Sequence, residues 1–90
     1  MNIYELADII GCDILIRRYA NQNNRFVADF EHCGVKENKH DNILSSSYGE
    51  GKTASEALEN YAKKIKGKWL VINAGTENRK EIGVPETITI

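Results

Sequence analysis

The sequence has no internal repeat, no low-complexity tract and a single proline, Pro85. Two cysteines, Cys12 and Cys33, are too few for a disulfide scaffold, and with two histidines they lack metal-ligand spacing. Packed, reduced thiols and no metal or other cofactor are therefore expected. Twelve basic and 13 acidic residues leave a net charge of -1, without the basic excess of a non-specific nucleic-acid binder or the acidic excess of a phosphate mimic. No apolar run approaches the roughly 18 residues of a membrane span, and MNIYELADIIG has no basic leader, so a cytosolic, non-membrane protein is expected.

What remains is a 90-residue chain, 41% hydrophobic and 28% charged, which has the composition of one ordinary globular domain with one modest core. Asn2 can cap a helix with apolar positions Ile3, Leu6, Ala7 and Ile10 and a stop at Gly11. The period then changes to two over Cys12–Ala20 and Arg25–Cys33, where Ile14, Ile16, Phe26, Ala28 and Phe30 share one face of a hairpin. A three-residue loop, Gln22 to Asn24, would set Ile16 opposite Phe30 and Arg17 opposite Asp29. It would also send Cys12 and Cys33 to opposite faces.

Residues 34–42, GVKENKHDN, read as an exposed loop, and Ile43 to Tyr48 as a third strand. Ala54, Ala57, Leu58, Tyr61, Ala62 and Ile65 form one apolar stripe of a second helix that stops at Gly67. Trp69 to Ile72 is a further strand, and residues 84–90 an edge strand or a loose tail. The expected fold is α+β, ordered α-β-β-β-α-β, with both helices on one face of an antiparallel sheet.

The segment GEGKTASEALENYA opens the second helix. Gly51, Lys52 and Thr53 match the end of a phosphate-binding loop, but Ser46 stands where its first glycine belongs, and Glu50 puts a carboxylate in the cradle. Thr53 and Glu56 instead form a T-x-x-E capping box, with Glu56 and Glu59 at the positive helix end and Lys63, Lys64 and Lys66 at the negative one.

The order α-β-β-β-α with Gly49, Gly51, Thr53 and Ala57 resembles the double-stranded RNA-binding domain, although Ala54 and Ser55 stand where that family carries its phosphate-contacting lysines. Gly51, Thr53, Glu56, Ala57 and Asn60 are also similar to the helix entry of HicB-type antitoxins. Over nearly its whole length the chain looks like small phage and prophage α/β proteins, among them accessory factors and anti-CRISPR inhibitors. That resemblance implies a non-enzymatic protein that occupies a host macromolecule, with a nucleic-acid-linked module as the alternative.

Candidate contact residues follow from pattern. Leu15, Tyr19 and Val27 lie on the hairpin face away from Ile16, a surface for a host protein or a second copy. Lys36 and Lys39 sit in the charged loop. Lys63, Lys64, Lys66 and Lys68 form a basic run able to meet phosphate or an acidic partner. No catalytic set is expected, since His32 and Cys33 as strand neighbours would point apart.

Overall fold

The structure, a computed structural model, describes every residue except Gln22 and Asn24. Its elements run α1 (Ile3–Ile10), β1 (Ile14–Tyr19), β2 (Arg25–Phe30), β3 (Cys33–Lys36), β4 (Gly49–Gly51), α2 (Ala54–Ile65), β5 (Trp69–Ile72) and β6 (Lys80–Gly83). The class is α+β. The strands form two antiparallel sheets, β1-β2-β4 and β3-β5-β6, where a single sheet was expected.

Both helices begin and end as their sequences dictate. The Asn2 side chain accepts from Glu5 N at 2.8 Å while the Glu5 carboxylate accepts from Asn2 N at 3.0 Å, and Gly11 closes α1 at φ 69°. The Thr53 hydroxyl accepts from Glu56 N at 3.0 Å, which makes the forward half of the expected box at α2. The apolar stripes of both helices meet in one core: Ile3, Leu6 and Ile10 pack with Tyr61 and Ile65, with Phe30 from the first sheet, and with Val35, Leu70 and Ile72 from the second. Phe30 and Tyr61 stack edge to face with centroids 5.4 Å apart.

The hairpin register is displaced by two residues from the expectation. Ile14 faces Phe30, Ile16 faces Ala28 and Tyr19 faces Arg25. A shift of two preserves which face each side chain takes, so the apolar set is the expected one. The expected loop residues Gln22 and Asn24 lie outside the described residues. The Arg17–Asp29 attraction survives as a diagonal, because Arg17 opposes Val27 while still lowering the proton affinity of the Asp29 carboxyl.

Three further expectations are corrected. Segment 34–42 is not all exposed loop: β3 runs through Lys36, and Val35 and Lys36 are buried. Burial of Lys36 is made tolerable from far along the chain, since its ammonium pairs with Glu81 at 2.5 Å and donates to the Lys39 carbonyl at 2.6 Å. Ile43 to Tyr48 is not a strand: only Ser45 pairs, with Val35, and Ile43 is 81% exposed. Gly49–Gly51 takes the strand position instead, with Phe26 facing Gly51 and Ala28 facing Gly49.

The reason is contact with α2. A Cβ built on Gly49 would run into the Ala57 carbonyl and the Tyr61 backbone, and one on Gly51 would lie 2.7 Å from Ala57 N. No larger residue fits between this strand and this helix. Finally, β2 ends at Phe30, and a turn through His32 at φ 54° restarts the alternation. Cys33 therefore packs on the same core as Cys12, not on the opposite face, and both remain free thiols.

Three outcomes test these contacts. Gly49→Ala and Gly51→Ala should each destabilise the fold by about 1 to 3 kcal/mol, as forced overpacking does, read from denaturant midpoints. Hydrogen bonds from Lys36 and Arg79 hold the Glu81 carboxyl below the usual carboxylate range, so folding is favoured where Glu81 is ionised and that contribution fades as the pH falls through its lowered native value. Glu81→Gln should flatten this acid limb of stability against pH, measured by thermal unfolding, and Lys36→Met should be tolerated better than Glu81→Ala, which leaves a buried ammonium without its carboxylate.

Candidate partner-binding face

Strand alternation and the register place Leu15, Arg17 and Tyr19 of β1, Arg25, Val27 and Asp29 of β2, and Glu50 of β4 on the side of the first sheet opposite α2. Tyr48, two residues before Glu50, joins that side. Leu15, Tyr19 and Val27 are half-buried and Tyr48 is 39% exposed, while α2 packs against β2 and β4 from the other side of the sheet. Asp29 is desolvated here, which raises its carboxyl above the ordinary range against the pull of Arg17.

The centre of this face is a packed polar and aromatic group. The Arg25 guanidinium donates to both Glu50 oxygens, through Nε at 3.0 Å and Nη2 at 2.8 Å. It also stands 5.4 Å from the Tyr19 ring centroid and 6.0 Å from that of Tyr48. The Lys64 ammonium also lies 5.1 Å from the Tyr48 ring centroid. The Arg25 bond keeps the Glu50 carboxyl below the usual range and raises the guanidinium in turn. The arrangement holds two tyrosines in fixed orientation around a cation already matched by a carboxylate.

The other sequence candidates separate from this group. Lys36 is buried in its pair with Glu81. Lys39 sits 5.4 Å from the Trp69 ring on the outer side of the second sheet. Within the basic run, Lys63 reaches Glu59 at 3.8 Å, Lys68 reaches Glu37 at 3.1 Å, Lys64 belongs to the tyrosine group, and Lys66 is an exposed helix cap. The run is thus dispersed over four surroundings rather than presented as one patch.

The glycine-lysine-threonine stretch is occupied by the fold. Gly51 is paired with Phe26 in the sheet, its Cα faces α2, and exposed Lys52 shares a shallow cleft with Glu50 and Glu56. Arg25 lines the same cleft, so two cations face two carboxylates and no net positive charge is left over for a phosphate.

A second concavity of about 370 Å³ lies between β3 and the 44–46 segment, lined by His32, Cys33, Leu44, Ser45, Asn73 and Thr76 among others. It holds no activated nucleophile. Burial, with help from the neighbouring Cys12 and Asp29, pushes the Cys33 thiol up to about 12, and the exposed His32 ring is nearest Glu31, at 3.5 Å. Among the described residues no three histidine, cysteine or carboxylate side chains gather as a metal site.

Sequence reasoning did not place Arg25, Tyr48 or Glu50 among the contact residues. The available signal was the alternation Tyr48-Gly49-Glu50-Gly51, legible only if both glycines are taken as strand residues facing a helix. No family model, curated protein or solved structure matches the chain.

The thiols give a direct check. With both cysteine pKa values raised by burial, Cys33 in the native protein should resist iodoacetamide at pH 8 and react only at the rate of opening, and denaturant should expose both sulfurs at once. Rapid native alkylation of Cys33, read by mass spectrometry, would contradict this packing.

Proposed function

We propose that this chain is a non-enzymatic binding protein that occupies the surface of a host macromolecule, as the small phage proteins it resembles do, with a host defence nuclease as the target class. The observation that carries the reading is the uncovered sheet face on which Leu15, Tyr19 and Val27 surround the Arg25–Glu50 pair and its two tyrosines. Tyrosine and arginine are the residue types that concentrate binding energy at protein interfaces, and they do so best when held rigid before contact. Here the guanidinium is already matched by Glu50, so a partner meets an aromatic and apolar centre whose own charge is neutralised, with Arg17 and Asp29 beside it.

A nucleic-acid reading draws less support. Tracking of phosphates needs cations that exchange counterions, whereas Lys63, Lys68, Arg25 and Arg79 each contact a carboxylate of this chain. The half-buried Cys33 thiol stays protonated, so it is not a ready nucleophile.

The test compares capture of host protein from a bacterial lysate by the unmodified chain and by Tyr19→Ala and Val27→Glu variants, with thermal unfolding as the fold control. The face variants should lose capture about tenfold or more while Lys63→Glu retains it, since a central anchor is worth on the order of 2 kcal/mol and a rim charge little. Micromolar binding of duplex RNA that weakens steeply with salt and is abolished by Lys64→Glu would replace this reading with the nucleic-acid one.

A further inference from the structure

Strand β1 is the outer strand of its sheet, and its far edge has no neighbour among the described strands. Glu31 N donates to Asp13 O at 2.9 Å, which sets the phase of the ladder: Asp13, Leu15 and Arg17 turn their backbone groups toward β2, and Ile14 and Ile16 turn theirs outward. The side chains add a second anomaly. Ile16 belongs to the face that α2 covers, yet it is 43% exposed, because α2 packs over β2 and β4 and stops short of β1. An open backbone edge and an uncovered isoleucine therefore coincide on one strand.

The identity of the occupant can be argued from register. If a second copy pairs antiparallel about a two-fold axis, outward-facing even positions must oppose even positions, so only alternate registers close hydrogen bonds. Centring on Arg17 sets two guanidiniums against each other. Centring on Ile16 opposes Arg17 to Leu15, and centring on Ile14 opposes Asp13 to Leu15. Over residues 13–17, centring on Leu15 alone matches the pairs: Leu15 with Leu15, Ile14 with Ile16 twice, and Asp13 with Arg17 twice, with Arg18 beyond them meeting Cys12.

We propose that β1 is the two-fold interface of a homodimer in this Leu15-centred register, giving one continuous sheet ordered β4-β2-β1-β1-β2-β4. The Ile14 and Ile16 side chains of the two copies fill the space between the two α2 helices. On the opposite side the two faces bearing Leu15, Tyr19 and Val27 merge into one surface. This goes beyond the binding function proposed above and does not depend on it.

Sedimentation equilibrium of the purified chain tests the proposal, with circular dichroism and thermal unfolding on every variant. The unmodified protein should approach twice its 10.1 kDa chain mass. Ile16→Pro removes an N–H that only the second copy would use, and should weaken dimerisation about tenfold or more while the monomer fold persists. Should that variant unfold, charge reversal decides the matter. Asp13→Lys alone should weaken the dimer by setting lysine against arginine, and Asp13→Lys with Arg17→Glu should restore it. In the same register Leu15→Cys should cross-link between copies on mild oxidation faster than Arg17→Cys, because a non-hydrogen-bonded antiparallel pair brings Cα atoms to about 4.5 Å. A monomer at the highest attainable concentration would overturn the proposal, as would a dimer in which the double charge swap is no stronger than Asp13→Lys alone.

Discussion

Strand β4 approaches α2 so closely that neither Gly49 nor Gly51 has room for a Cβ, and much of the molecule follows from that contact. It seats α2 over β2 and β4, where Ala28, Ala57 and Leu58 close a small apolar cluster. It directs Tyr48 and Glu50, the alternate residues, to the other side of the sheet, where they meet Arg25. It also fixes what α2 cannot reach. A helix anchored at one edge of a three-stranded sheet leaves the strand at the other edge, β1, with Ile16 uncovered.

The second sheet depends on a different kind of contact. Lys36 is buried because Glu81 and the Lys39 carbonyl take its charge, and Arg79 holds Glu81 from the other side at 3.1 Å. Removing one member of such a pair is costly, since it leaves the other charge buried and unmatched. The pair joins β3 to β6 across β5, while Val71 at the middle of that sheet is fully buried. The two sheets are therefore organised by opposite means, one by the absence of side chains and the other by matched charge.

The candidate face was legible in part. Leu15, Tyr19 and Val27 follow from alternation alone, and a two-residue error in register leaves them on the same side. The helices were legible almost to the residue, because capping and the 3.6-residue period are local properties of Asn2, Gly11, Thr53 and the Ala54–Ile65 stripe. Arg25, Glu50 and Tyr48 were not, because they meet only once β4 is a strand, and glycine reads locally as a strand breaker. Lys36 failed for a similar reason: a lysine in a charged stretch reads as solvated until Glu81, 45 positions later, lies beside it.

By itself, then, the sequence determined the α+β class, both helices with their caps, and the inner and outer sides of the hairpin, since each rests on the spacing of neighbouring residues. Only the tertiary structure decided that the strands divide into two sheets, that GEG is a strand pressed on a helix rather than a phosphate loop, and that the lysines are dispersed. Those outcomes depend on contacts between residues distant in the chain, where close packing and charge matching override local preference.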